Sequence, residues 1–214
     1  MNKDQLQAVW IAEAILDRLV FRVGEKENDV AWRIESLLKG FGAKPAFKTI
    51  VASGKRSAKP HGYATNKIIK AGEPVMIDFG ALYHGWRSDL TRTFLPEKPT
   101  SRQKKIYTIV KQAQALAIKA VKAGVTCRSV DLAARDYIKG KGFGQFFVHT
   151  TGHGVGRKVH ESPKISARNR RKLQVGQVIT IEPGIYIKGW GGVRIEDMVL
   201  VTRTGCRLLT TVPK

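Results

Sequence analysis

Two nine-residue segments of this 214-residue chain read alike, and that internal likeness constrains the fold more than any other feature. Gly72-Glu73-Pro74-Val75-Met76-Ile77-Asp78-Phe79-Gly80 aligns without a gap on Gly176-Gln177-Val178-Ile179-Thr180-Ile181-Glu182-Pro183-Gly184. After four intervening residues each continues as Gly-Trp, at Gly85-Trp86 and at Gly189-Trp190. Each then carries a further acid, Asp89 in the first copy and Glu196 in the second. Gly40-Phe41-Gly42 matches Gly142-Phe143-Gly144 more weakly. A repeat of this kind predicts two halves, 1–99 and 100–214, related by a pseudo-twofold axis. The axis brings Asp78, Asp89, Glu182 and Glu196 together as two equivalent pairs.

The elements repeat as well. Apolar spacing predicts a helix over Leu6–Phe21, with Leu6, Val9, Trp10, Ala14 and Leu16 near one face. A second, capped by Asn28 or Asp29, runs through Ile34 and Leu38 to Gly40. A third starts at Thr100 or Ser101, buries a stripe from Ile106 through Leu116 to Ala120, and ends at Gly124; a fourth covers Ser129 to Lys139. Strands are predicted at Thr49–Ala52, Val75–Phe79, Ser88–Phe94, Val178–Ile181, Ile185–Ile187 and Val193–Val201, where β-branched residues gather. The order is helix, helix, strands, then the same again. No linker divides the chain, which reads as one α+β domain, 1–214.

Composition narrows the class. Lys and Arg number 38 against 17 Asp and Glu, a net charge of +21, yet 43% of residues are hydrophobic, which excludes a mainly disordered chain. Two cysteines, Cys127 and Cys206, are too few for a disulfide framework and point to a reducing compartment, the cytoplasm. The apolar stretch Leu6–Val23 is broken by Glu13, Asp17 and Arg18, so it reads neither as a signal peptide nor as a membrane span. The charge suits nucleic acid. Its densest run, Arg168-Asn169-Arg170-Arg171-Lys172, and the weaker Arg102, Lys104 and Lys105 have no interleaved aromatics, so solvated surface is the first reading and nucleic acid the runner-up.

Four acids sharing a partly buried site cannot all ionise without a cation. Each of Asp78, Glu182 and Glu196 follows an isoleucine, a setting unlike that of a surface acid. Of five histidines, His149, His153 and His160 fall within twelve residues, the middle one in the glycine-rich run Gly152-His153-Gly154-Val155-Gly156. His61 occupies a comparable place in the first half, and His84 reads as surface. Carboxylate with imidazole, and no thiolate, suits Mn, Co, Fe or Zn. Two such ions bridged by carboxylates suit hydrolysis of an amide bond. No Gly-x-Ser-x-Gly elbow, P-loop or dinucleotide fingerprint suggests another chemistry.

From Asp4 to Pro213 the chain resembles the metallopeptidase family that holds methionine aminopeptidase, aminopeptidase P and prolidase. The motifs are Asp78-Phe79-Gly80, Ser88-Asp89-Leu90-Thr91-Arg92-Thr93, the glycine run around His153, Ile181-Glu182-Pro183-Gly184 and Arg194-Ile195-Glu196-Asp197. The resemblance implies the pita-bread fold: two pseudo-symmetric halves of helices packed on a curved antiparallel sheet. It implies that Asp89 and Glu196 bridge two divalent ions, that Asp78 completes one shell, and that His153 with Glu182 completes the other. Glu182 is then also the base, and His61 and His160 contact substrate, His160 stabilising the tetrahedral intermediate. His149, Tyr186 and Arg194 match pocket residues of the proline-specific branch, as does Ala52-Ser53-Gly54-Lys55-Arg56-Ser57.

The resemblance therefore implies a Mn-dependent aminopeptidase cleaving an N-terminal residue from a following proline in short peptides. Xaa-Pro dipeptidase (prolidase) activity comes second and methionine aminopeptidase third. From another class, a non-catalytic basic module binding nucleic acid or an acidic protein is set aside because the ligand set is intact. No N-terminal creatinase-type domain is expected in 1–214, no membrane partner is expected, and a homodimer is compatible with the branch. The glycine run continues into Arg157-Lys158, which predicts a basic rim to the cleft.

Overall fold

The computed structural model describes residues 1–214, and three of its four α-helices begin where a side chain meets a free amide. Helix α1 (Lys3–Arg18) starts where Asn2 accepts from the Asp4 amide. It buries Ala8, Ile11, Ala12 and Ile15 and leaves Leu6 and Trp10 outside, so the inward face is rotated from the one the sequence suggests. The buried stripe is built of small and branched residues at i, i+3, i+4 and i+7, which lets the helix lie close on its sheet. Trp10 instead sets its ring edge-on to Phe41, centroids 5.6 Å apart. Helix α2 (Glu27–Gly40) has Lys26 at its cap with no side-chain bond, so neither expected cap is used; Asn28 and Asp29 lie in the first turn. The reason is Glu27, which turns inward and begins the helix earlier.

Helix α3 (Ser101–Ala120) opens with a reciprocal capping box of Thr100 and Gln103. Its stripe is buried as expected except Leu116, which is exposed, and Ala120, which is half-buried. Helix α4 (Cys127–Gly140) is capped by Thr126, whose hydroxyl accepts from the Ser129 amide, two residues before the expected start. Two residues past the ends of α2 and α4, Gly42 and Gly142 take left-handed φ values of 70° and 84°. The true equivalents are thus Gly42 and Gly142, and the tripeptide match of the sequence is out of step by two.

The first half contributes β1 (Lys44–Pro45), β2 (Ile50–Ser53), β3 (Val75–Phe79), β4 (Ala81–Tyr83), β5 (Trp86–Arg87) and β6 (Leu90–Phe94). The second contributes β7 (Gly152–Gly154), β8 (Glu161–Ile165), β9 (Val178–Ile181), β10 (Gly184–Ile187), β11 (Gly191–Arg194), β12 (Asp197–Val201) and β13 (Cys206–Leu208). The sheets run β2-β3-β6 and β13-β12-β9-β7-β8, all antiparallel, with the smaller β1-β4-β5 and β10-β11 beside them. The repeated Gly-Trp turns share a left-handed glycine, Gly85 and Gly189 both at φ 81°, but differ in length: Tyr83 pairs with Trp86 across two residues, whereas Ile187 pairs with Gly191 across three. Each half has its own core, α1 and α2 against β2-β3-β6, and α3 and α4 against the five-stranded sheet.

One expected strand is two. Val193–Val201 breaks at Ile195-Glu196, because the Glu196 amide donates to Thr91 O across the seam between the halves. Before the break the chain pairs with β10, and after it with β9. The short β1, β4, β5, β7 and β13 carry too few alternating residues to be legible as strands in the sequence, and β8, though five residues long, contains Pro163 and a single β-branched residue.

Candidate metal centre

The seam is where the repeated acids meet. Asp78 lies on β3 opposite Thr91, and Asp89 directly precedes β6. His153 sits on β7, Glu182 just past β9, and Glu196 in the break between β11 and β12. Ligand atoms of Asp89, His153 and Glu196 lie within 4.8 Å of one another, all three buried. His153 Nε2 stands 3.2 Å from Glu182 Oε1 and 3.6 Å from Asp89 Oδ2. Asp78 joins from the other side, one carboxylate oxygen paired with the Arg194 guanidinium and the other buried without any partner. All five residues line one cleft of about 780 Å³, together with His61, His149, His160 and Arg194.

The glycines beside His153 are dictated by that approach. A Cβ on Gly152 would collide with the Thr180 carbonyl, and one on Gly154 with the Ser162 carbonyl, so only glycine lets the strand bring His153 in. The imidazole is oriented by its far side, where Nδ1 lies 3.0 Å from Gly154 O, the geometry that leaves Nε2 for the acids. Thr91 Oγ1 donates to Glu196 Oε2, and Thr180 Oγ1 donates to Glu182 Oε1.

Burial and mutual repulsion push Asp89 and Glu196 well above the usual carboxylate range, and burial raises Asp78 despite Arg194. Burial would lower His153, but Glu182 and Asp89 raise it to about 9. Burial would raise Glu182, but the hydrogen bond and charge of His153 bring it to about 2. Without a cation this cluster keeps protons it would shed to a metal. A partnerless buried carboxylate oxygen, raised acids and a correctly turned imidazole together fit divalent metal.

Around the acids runs a polar relay. Arg194 Nη1 donates to Tyr186 OH at 2.8 Å, the phenol donates to His149 Nε2 at 2.8 Å, and His149 Nδ1 donates to Thr150 O. Burial lowers His149 and raises Tyr186 to about 12, so both are neutral and the relay's proton order is fixed. His160 stands at the mouth, its ring centroid 4.4 Å from that of His153, and its pKa is lowered by the partial desolvation of its ring and by that neighbour. His61 is exposed in the lining. His84 is a surface residue stacked on Tyr83. Besides Arg194, the lining carries Lys48 and Lys164 but neither Arg157 nor Lys158; Arg157 lies instead over the Trp86 ring, 4.7 Å from its centroid, and the expected rim is built from other residues.

Two buried acids that the sequence does not single out hold the cleft walls. Glu27 accepts from the amide and hydroxyl of Ser53 and from Thr65, and pairs with Arg56, clamping the loop that carries His61. Asp131 pairs with Arg135 and accepts from Thr151, and Arg135 donates to His149 O at 2.7 Å. Their only sequence signal is an acid on an otherwise apolar helix face. Thr91 was within reach, adjacent to the second acid's motif, but a hydroxyl carries no signature of its own.

Comparison with known proteins bears on the same residues. Residues 5–203 match the model of metallopeptidase family M24. The chain is 47% identical to the Xaa-Pro dipeptidase of Pyrococcus furiosus over 98% of its own length and 62% of that protein's. It is similar to the solved structures of an Xaa-Pro dipeptidase from Bacillus anthracis (TM-score 0.97, 44% identity) and an X-Pro aminopeptidase from Thermotoga maritima (TM-score 0.96, 43% identity), covering 99% of this chain and 61% of each of those. The chain thus spans a little under two thirds of the length of these relatives. Shared fold, family-wide match and an acid-and-imidazole cluster on the seam agree: the chain belongs to metallopeptidase family M24, with the pita-bread fold.

Proposed function

We propose that this chain carries the catalytic centre of a metal-dependent Xaa-Pro peptidase, and that its reaction is prolidase-like cleavage of Xaa-Pro dipeptides. The convergence of Asp89, His153 and Glu196, with Asp78 and Glu182 alongside, is the observation that carries the reading. The sequence put aminopeptidase P ahead of prolidase. The relatives favour the reverse order, because the proteins named Xaa-Pro dipeptidase outweigh the X-Pro aminopeptidase among those of highest similarity.

On this reading Asp89 and Glu196 would be shared by two divalent ions, Asp78 would help hold one, and His153 with Glu182 would help hold the other. Mn suits these donors best, with Co, Fe or Zn as substitutes. The ions would supply Lewis-acid polarisation of the scissile carbonyl and activation of a water. Glu182, ionised and held by Thr180 and His153, takes the proton of the attacking water and returns it to the departing proline nitrogen. His160 and His61, both in the lining, would contact substrate, with His160 donating to the oxyanion. The Arg194–Tyr186–His149 relay fixes Asp78 and the pocket floor. The two unpaired cysteines favour a cytoplasmic setting, and no helix is long and apolar enough to cross a membrane.

The test is a Mn-loaded assay of Xaa-Pro dipeptides, Xaa-Pro-Yaa tripeptides and Met-Ala-Ser, with a chelated control. Chelator-sensitive cleavage of the dipeptides is expected. Cleavage confined to tripeptides moves the reading to aminopeptidase P. Bound metal with no cleavage of any peptide defeats the catalytic reading for this chain on its own.

A further inference from the structure

Positive charge is unevenly spread. Between Lys98 and Ile181 the chain carries 18 of its 38 Lys and Arg residues but three of its 17 acids, Asp131, Asp136 and Glu161. Asp131 is buried and paired with Arg135, and Glu161 Oε1 accepts from the Lys158 amide. Asp136 is left as the one acid of this stretch without a partner. Helix α3 has no acid and presents Arg102, Lys104, Lys105, Lys111 and Lys119 outward.

The densest part is the loop 166–172, which is fixed to the start of α4 by its backbone. The Arg128 amide donates to Asn169 O at 2.7 Å and the Cys127 amide to Arg171 O at 2.9 Å, while the Arg128 guanidinium reaches Ala167 O at 3.3 Å. These bonds hold Arg128, Arg168, Arg170, Arg171 and Lys172 on one patch. All five are exposed and none is in an ion pair. None of them lines the cleft.

Like charges held this close repel one another, and nothing in the chain offsets the repulsion. A polyanion does. The patch has no aromatic side chain on which a base could stack, and guanidinium groups match phosphate oxygens well. Contact through the phosphate backbone, blind to sequence, is what such a surface provides. We propose that the loop 166–172 and the start of α4, extended along the outer face of α3, form a docking surface for the phosphate backbone of nucleic acid. This inference does not depend on the peptidase reading.

The experiment measures fluorescence anisotropy of a labelled single-stranded RNA against the metal-loaded chain over a salt series. The triple variant Arg168→Ser, Arg170→Ser, Arg171→Ser is compared with Lys26→Ser, Lys39→Ser, Lys44→Ser, which removes the same charge from the first half. Binding is expected, with a log–log salt slope that falls by about 2–3 in the loop variant and affinity down at least about tenfold. The first-half variant should lose much less, and peptide cleavage and bound metal should be unchanged in both. Equal losses in the two variants would mean diffuse charge and overturn the surface. So would absence of binding at about 50 mM salt, or vesicles of phosphatidylserine displacing the RNA.

Discussion

The hydroxyl of Thr91, from the first half of the chain, donates to Glu196 Oε2, from the second, at 2.6 Å, and accepts from Arg194 Nε at 3.0 Å. One oxygen thereby aims both a candidate bridging acid and the guanidinium that holds Asp78. Thr91→Val keeps the shape and removes the bond. It should weaken metal binding by about 10- to 100-fold, the usual cost of losing an outer-sphere partner, and Thr91→Ser should restore most of it. Titration of the apo chain with Mn reads this directly, and equal affinity in all three proteins would show that the hydroxyl does not aim the acid.

In the proposed function Glu182 combines ligand and base. Glu182→Ala should leave the fold intact and lower turnover by at least about 10³-fold. His84→Ala, on the surface, should be nearly silent in the same peptide assay. A normal rate in the first variant, or a large loss in the second, would sink the assignment of roles.

Metal binding should release protons. Asp89, Glu196 and His153 all hold their protons more tightly in the folded metal-free chain than their ordinary values allow, His153 up to about 9. Each stabilises the apo fold fully below its unfolded pKa, and that contribution is lost as pH rises through the folded value. A metal that displaces these protons therefore binds more tightly from pH 6.5 towards 9. Glu182, lowered to about 2, is already ionised throughout this window and adds no slope. Calorimetry in two buffers of different ionisation enthalpy should give a net release of protons, rising in affinity with pH; none released would refute the picture.

Glu27 should matter to substrate more than to metal. Glu27→Ala strands Arg56 and the Ser53 amide and should cost about 3 kcal/mol, the low end for a buried pair because Arg56 is a quarter exposed. Glu27→Gln keeps the volume and some of the bonds. It should raise KM for peptides with metal stoichiometry unchanged, since the loop it clamps supplies His61 while every ligand comes from elsewhere. Loss of metal alongside KM would indicate a general structural role instead.

Much of this was legible in the residues. The repeat around Asp78 and Glu182 gave the two halves, and β3 and β9 fall where the β-branched runs lie. The four acids Asp78, Asp89, Glu182 and Glu196 and the imidazole of His153, all in the lining of the cleft, were named from repeat and motif. What was hidden had physical reasons. The helix faces of α1 depend on how closely a sheet approaches, which sequence spacing alone does not state. Glu27 begins α2 early because it serves a loop far along the chain. The break at Glu196 depends on a hydrogen bond to Thr91, more than a hundred residues away.

That break has a consequence for how the molecule comes together. Asp78 and Asp89 belong to one half, and His153, Glu182 and Glu196 to the other. On the proposed reading neither half alone owns the full set of ligands, so complete occupancy would require the two cores docked and the strand switched between partners. Occupancy therefore reports closure of the seam, and the ions would serve as rivets fastening two independently built plates.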